Sequence, residues 1–347
     1  MPPSISQAEV LPTHTPELFE AAVRRAAQLL REGQVVALPT ETVYGLAANA
    51  LNAEAIALIF KIKGRPAYNP IIVHVASNQM ARQCTLGWPA VAEKLARAFW
   101  PGPLTLVLPR AAVIPPAVTA GGPTVGVRWP SHPFIQAVIR ECGFPLAAPS
   151  ANLSSQLSPT DPEHVRKFLG DKIPLIVDGG PSQVGIESTV LDVSVSPPQV
   201  LRPGMIDATA LLATTGELSG EAGGAPRAPK SPGLLRRHYS PKARLVLVSW
   251  QDSAELRAQA LQFHVPAARV HVISHTRIPS GAGFGRIVVM PHDPAAYGRA
   301  LYAELYRCDE AGAKLILVEP PPQTSEWHAI ADRLGRAASV PEDARGG

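Results

Sequence analysis

K-I-K-G-R-P-A-Y-N-P-I-I-V-H, residues 61–74, is the stretch that decides how this chain is read. Lys61, Lys63 and Arg65 stand two residues apart, Gly64 separates the last pair, and the segment then turns apolar. In an extended backbone every second side chain shares a face, so the three cations would converge on one anion. Pro66 and Pro70 fix φ and remove donors, which disfavours a helix. Ile71–Val75 reads as a short strand, with His74 on the face opposite Val73 and Val75. A solvated basic turn before a core strand and an anion-binding loop both fit these residues.

Composition narrows the field. A length of 347 residues suits two domains, and 46% hydrophobic against 17% charged residues supplies a substantial core. The net charge of +4 suits a nucleotide or nucleic-acid partner without the character of a polycationic coat. Cys84, Cys142 and Cys308 lie far apart, so neither a disulfide framework nor a zinc site is expected. The N-terminus lacks a signal peptide's basic and apolar regions, and no apolar run approaches the ~20 residues of a membrane span. A soluble cytoplasmic protein with no membrane partner is the expectation.

Helices and strands alternate along the chain. Thr15-Pro16-Glu17 is a cap with proline at the first helical position, and an apolar stripe from Leu18 to Leu30 follows it until Gly33. Val35–Leu38 reads as a buried strand, 53–60 as a helix, 90–99 as a helix and 105–108 as a strand. In 124–128, Val125 and Val127 share one face while Thr124 and Arg128 share the other. A helix at 134–142, an apolar run at 144–149, a capped helix at 161–169 and strands at 175–177, 187–193 and 199–201 complete the first part. The stretch from Thr214 to Pro241 is rich in Gly, Ala, Pro and Ser without periodicity, as linkers are. Four strand candidates at 244–248, 269–273, 286–290 and 314–318, with helices between most of them, make a compact α/β unit. The domains expected are 1–210, a linker at 211–242, and 243–347.

Pro39–Leu46, P-T-E-T-V-Y-G-L, directly follows a buried strand, where open α/β sheets place ligand loops. Ser150-Ala151-Asn152 also follows an apolar run, and its hydroxyl and amide suit a nucleotide pocket. Asp178-Gly179-Gly180 and Gly185–Thr189 fit either turns or phosphate cradles. No P-loop, dinucleotide fingerprint, Ser-His-Asp set or HExxH is present.

Taken jointly, P-T-E-T-V-Y-G-L, K-G-R-P-x-x-N-P-I-I-V-H-V, S-A-N…S-P-T, D-G-G…G-I-E-S-T-V, L-R-P-G and a late H-Y-S-P resemble the Sua5/YrdC/YciO family in order and approximate spacing. The late motif and second α/β unit resemble its two-domain form over essentially the whole chain. The resemblance implies a YrdC-like twisted open mixed sheet with a concave site, plus a smaller Rossmann-like C-terminal domain. It implies a nucleotidyltransferase, L-threonylcarbamoyladenylate synthase, making threonylcarbamoyl-AMP and pyrophosphate from L-threonine, bicarbonate or CO2, and ATP. The product would feed tRNA threonylcarbamoyl transferase machinery that modifies adenosine beside the anticodon. Carried over by motif, threonine contacts fall on Thr42, His74, Arg128, Ala148 and Ser188. ATP contacts fall on Lys63, Arg65, Asn69, Thr124, Ser150, Ser158, Arg202 and Tyr239, with Lys63 and Arg65 also catalytic. Ser155 stands where the family often has glycine, and P-G-L-L-R-R-H-Y lacks the lysine and aromatic that many relatives carry there.

The chemistry implied needs no protein nucleophile. Threonine's amine attacks CO2, and the resulting carbamate attacks the α-phosphate, so the protein has to align substrates and offset phosphate charge. Mg²⁺ is expected on the ATP phosphates, with no dedicated protein ligands. Labile intermediates call for a closing site, with the linker as lid and Tyr239 reaching the nucleotide from it. The rivals are a double-stranded-RNA-binding module without turnover and a carbamoyl-transfer domain of the hydrogenase-maturation type, while weak RNA binding stands among the expected partner properties. The second would bring cysteine-rich zinc modules, which three scattered cysteines do not supply.

Overall fold

The computed structural model describes residues 7–219, 239–280 and 283–338. These fall into two compact units: the first holds everything up to residue 219 except Ser155–Leu157, and the second holds Ser155–Leu157 with the described residues from 239 onward.

The strands of the first unit are β1 (Glu9–Pro12), β2 (Val36–Leu38), β3 (Gly45–Asn49), β4 (Val73–His74), β5 (Leu104–Pro109), β6 (Thr124–Arg128), β7 (Leu146–Ala147), β8 (Leu175–Asp178), β9 (Thr189–Asp192) and β10 (Gln199–Arg202). They form one mixed sheet in the order β1-β8-β2-β3-β7-β4-β6-β5-β9-β10. Helices α1 (Pro16–Arg31), α2 (Ala53–Lys63), α3 (Asn78–Gln83), α4 (Ala90–Phe99), α5 (Pro133–Cys142), α6 (Pro162–Leu169) and α7 (Ala208–Thr215) pack around it.

The two halves of the sheet are covered differently, and that difference makes the site. Around β2, β3, β7 and β8 alternate side chains feed two cores. Ala37, Leu46, Ala48, Ala147 and Ile176 enter one. Val36, Leu38, Ala47, Leu146 and Val177 enter the other, against Leu30 of α1 and Phe134 and Val138 of α5. Around β4, β6, β5 and β9 the first core continues through Val73, Leu106, Val125, Val127 and Leu191. The opposite face carries only a small cluster of Ile72, Val107 and Val190 with Leu201 against it. A sheet face with so little apolar cover is available to a ligand.

Local chemistry sets the elements. Thr15 Oγ1 accepts the Leu18 N–H at 3.3 Å to start α1. Asn52 Oδ1 accepts from Glu54 and Ala55 N–H to start α2. That helix runs past the expected end at Phe60 and takes in Lys61 and Lys63, so the extended reading of the basic stretch is corrected. The backbone amides up to Lys63 have helical partners, and the stop comes at Gly64, which is left-handed at φ +60, shortly before Pro66. Two residues on a helix point to different sides. Lys61 is exposed and Lys63 buried, and the three cations do not converge. β4 keeps only Val73 and His74 of the expected strand 71–75.

Ser155 adopts φ +68. That left-handed backbone costs a residue with a Cβ roughly 1–2 kcal/mol, which accounts for a glycine preference at this position. Residues 211–215, expected as the start of the linker, are the last turns of α7 with Leu211 buried. Residues 220–238 of the expected lid, with Arg236, Arg237 and His238, lie outside the described residues.

In the second unit β11 (Arg244–Leu247), β12 (Val270–Ser274), β13 (Arg286–Val289) and β14 (Leu315–Val318) form an all-parallel sheet in the order β11-β14-β12-β13. With α8 (Ser253–Leu261), α9 (Pro294–Glu310) and α10 (His328–Ala337) this is the expected Rossmann-like α/β unit. No described helix is long and apolar enough to cross a membrane.

Candidate active site

The loop after β2 is the hub of the first unit's open face. Thr40 Oγ1 closes it on itself, accepting the N–H of Thr42 and Val43 and donating to the Val43 carbonyl. Outward, the carbonyls of Glu41 and Thr42 accept N–H bonds from Val184 at 2.7 Å and Gly185 at 3.1 Å. Tyr44 gives its N–H to Pro159 and its carbonyl accepts from Ala151, both at 2.8 Å. The S-A-N, S-P-T and G-I-E-S-T-V segments are thereby stitched to one turn.

Arg128, at the end of β6, is buried against this turn. Its Nη1 donates to Thr42 Oγ1 at 2.9 Å, its Nε to the Gly102 carbonyl at 3.3 Å, and its Nη2 lies 2.7 Å from Glu41 Oε1. Ser131 N–H donates to the same Glu41 oxygen at 3.0 Å. Burial pushes the Glu41 carboxyl up, but the Arg128 guanidinium and the Ser131 N–H overcome it and hold the group below its ordinary range. Glu41 was missed in the sequence, where its only signal is a carboxylate set between two threonines after a buried strand. His74 is the register partner of Arg128 across β4 and β6. Burial first, and the Arg128 charge second, push its imidazole down to about 3, so it is neutral at physiological pH. Its Nδ1 is buried without a hydrogen-bond partner.

Thr124, Gly126 and Arg128 alternate onto one face of β6. Thr124 and Gly126, with Pro70, Ile72, Thr105, Thr119 and Val190, line a shallow hollow. A Cβ on Gly126 would lie 3.1 Å from Thr105 Cγ2 and 3.5 Å from Ile72 Cγ1, so glycine keeps this floor low. Thr105 Oγ1 meets Ser188 Oγ at 2.8 Å, and Arg202 Nη2 donates to the Ser188 carbonyl and hydroxyl at 2.9 and 3.0 Å. Arg65 donates to the Asn69 carbonyl and side chain and to the Pro70 carbonyl, folding the loop beside the hollow into one piece.

Lys63 Nζ donates to the carbonyls of Ser150 and Asn152 and to Asn152 Oδ1, which also accepts from Ser150 Oγ. Burial, then the nearby Arg65 charge, push the Lys63 ammonium well below its ordinary pKa, while its three partners are all neutral oxygens. Ser158 Oγ donates to Glu187 Oε1, one residue before Ser188. Ala148 N–H donates to the Ile72 carbonyl at 3.1 Å, which ties the chain after β7 to the strand carrying His74.

Direct contacts thus join Thr42 with Arg128 beside His74, Lys63 with Ser150, Arg65 with Asn69, and Ser188 with Arg202. Tyr239 is different. Its ring is buried in the second unit, 6.0 Å from the Tyr302 ring and 5.1 Å from the Arg333 guanidinium, with φ +61. Aromatic and cation–π packing hold its ring within that unit. Among the described residues no three His, Cys, Asp or Glu side chains converge as a metal site would require.

Known proteins resemble this chain in sequence and fold. A family model described as Sua5_yciO_yrdC, telomere recombination, matches residues 28–204, and one described as the threonylcarbamoyl-AMP synthase C-terminal domain matches residues 201–339. A Pyrococcus abyssi protein named threonylcarbamoyl-AMP synthase is 38% identical over 325 residues, covering 92% of this chain and 94% of its own. A Bacillus subtilis protein of the same name is 39% identical over 340 residues, 96% of each. The crystal structure of P. abyssi Sua5 complexed with L-threonine superposes with a TM-score of 0.86 at 36% identity, covering 95% of this chain and 96% of that one. With both of its units matched in this way, the chain belongs to the Sua5/YrdC/YciO family, in its two-domain form.

Proposed function

We propose that this chain is an L-threonylcarbamoyladenylate synthase, a nucleotidyltransferase that converts L-threonine, bicarbonate or CO2, and ATP into threonylcarbamoyl-AMP and pyrophosphate. The observation that carries the reading is the placement of the buried Arg128–Thr42–His74 group on the same sheet face as the hollow bearing Thr124. A guanidinium pinned by a hydroxyl and a carbonyl suits a small carboxylate. Lys63, buried among neutral oxygens, gains most from an approaching polyanion, because its charge has no counter-charge in those contacts.

In this reading Thr42, His74, Arg128, Ala148 and Ser188 hold threonine, and Lys63, Arg65, Asn69, Thr124, Ser150, Ser158, Arg202 and Tyr239 hold ATP. The threonine ammonium loses one proton to solvent, which exposes its lone pair. The nitrogen then forms a C–N bond to CO2 as one C=O π pair moves to oxygen, and a second proton leaves to solvent to give the carbamate. An oxygen of that carbamate then forms a bond to the α-phosphorus as the bond to the β-phosphate oxygen breaks and pyrophosphate leaves. The residues supply alignment and positive potential. The donors here are cationic and hydroxylic, and the nearby carboxylates Glu41 and Glu187 are engaged by Arg128 and Ser158. Such a set fits triphosphate, so Mg²⁺ would be held through ATP, where it neutralises phosphate charge. We place this activity in the cytoplasm, upstream of the transferase machinery that modifies tRNA beside the anticodon.

The test is pyrophosphate release from ATP with and without threonine and bicarbonate, the nucleotide product being identified by mass. Release that requires both co-substrates is expected. Arg65→Ala should lose release while its circular dichroism stays that of the wild type. Threonine-independent release, or none beside tight binding of duplex RNA, would overturn the proposal in favour of the RNA-binding reading.

A further inference from the structure

The Glu41–Arg128 pair carries two loose ends of opposite charge. Glu41 Oε1 is taken by Arg128 and by the Ser131 N–H, but Oε2 is buried with no hydrogen-bond partner. Arg128 Nη1 and Nε are taken by Thr42 and Gly102, while Nη2 contacts Glu41 and makes no hydrogen bond. Buried polar atoms without partners are rare in folded proteins, and each calls for an explanation. Here both lie on a single ion pair, next to His74, whose Nδ1 is also unpartnered.

One class of molecule satisfies both atoms at once. It must offer a cation to Oε2 and an anion to Nη2, with its own charges side by side. An α-amino acid does this, since its ammonium and carboxylate share one carbon. Laid antiparallel to the protein pair, it gives four charges alternating in sign, so that every neighbouring contact is attractive. A plain carboxylate would satisfy Arg128 and meet the Glu41 charge unshielded, while a plain amine would do the reverse. Neutral His74 adds no charge that would spoil the alternation.

Resting on the reading of this pocket as the threonine site, we infer that Glu41 is a specificity-determining residue: its Oε2 receives the substrate's α-ammonium while Arg128 Nη2 receives the carboxylate. The pair then selects the zwitterion over acids that lack the amino group. It does so by attraction of the right ligand and by repulsion of the wrong one.

The experiment is titration calorimetry on the full chain with ATP present, using L-threonine and 2,3-dihydroxybutanoate, which replaces the amino group by hydroxyl. The wild type should prefer threonine by at least about 10-fold, the scale expected when a buried charge loses its partner. In Glu41→Gln threonine should weaken by about 10- to 100-fold and the hydroxy acid by less than about 3-fold, so that the preference collapses. Equal weakening of both ligands, or of neither, overturns the inference, because a purely structural role for Glu41 cannot tell them apart. If Glu41→Gln does not fold, the wild-type pair still decides, and equal affinity for the two ligands overturns it. A wild type that binds threonine without preference sinks only this inference, whereas one that binds no threonine sinks the proposed function as well.

Discussion

Lys63, the last residue of α2, gives its ammonium to Asn152 twice, at 2.6 Å to the carbonyl and 3.1 Å to the side-chain oxygen. The helix end and the loop after β7 are therefore one mechanical piece, and Ser150 is part of it through the same Asn152 oxygen. Lys63→Met should destabilise the first unit by about 2 kcal/mol, the scale of leaving buried partners unsatisfied. It should also weaken binding of a non-hydrolysable ATP analogue. If Lys63 works through the loop, Asn152→Ala will cost much of the same affinity and the double variant little more, a coupling of at least about 1 kcal/mol in a double-mutant cycle. Additive losses in calorimetry would show that the two residues act separately.

Gly126 sits on the floor of the hollow, where an added methyl meets the Thr105 methyl at 3.1 Å. Its backbone is ordinary strand, not left-handed, so a side chain brings crowding without backbone strain. Gly126→Ala needs a shift of only a few tenths of an ångström and should change stability by less than about 1 kcal/mol. Gly126→Val projects further into the hollow and should abolish binding of the ATP analogue while threonine still binds. A Gly126→Val protein with wild-type nucleotide affinity would place the nucleotide elsewhere on the face.

The sequence carried the elements and some faces of this site, but little of what touches what. The parity that put Thr124 and Arg128 together needs only two-residue periodicity within one strand, and it holds in β6. The convergence of Lys61, Lys63 and Arg65 fails because prolines at 66 and 70 do not exclude helix as far back as Lys61. A proline restricts the residue before it, and Gly64 was free to close α2 three residues later than expected. Glu41 and Arg128 are 87 positions apart and meet only because β4, β6 and the loop after β2 are brought to one place by a ten-stranded order that no local pattern encodes. Lys63 and Asn152 meet for the same reason. The packing of Tyr239 with Tyr302 and Arg333 is likewise absent from any local pattern, because its motif abuts a compositional linker.

His74 gives the last prediction, and its sign follows from burial. In the unfolded chain its imidazole takes a proton near 6.5, while burial and then the Arg128 charge hold it neutral in the folded protein down to about 3. Between those values the unfolded state binds the extra proton, so stability falls as the pH drops through this window and is fully present above it. From pH 7.5 to pH 5 this group alone should cost about 2 kcal/mol. His132, His271 and His275 are pushed down by burial too and add to the slope of the whole protein. The contribution of His74 is therefore the difference between wild type and His74→Gln in urea unfolding at the two pH values, both without substrate. Glu41, also held below its ordinary value, loses stabilisation in the same direction, but only as pH falls below about 4.5, outside the pH 7.5 to 5 comparison. Matching pH slopes in the two proteins, together with a His74 ring resonance that titrates near 6.5, would show that the imidazole takes up its proton in the folded state.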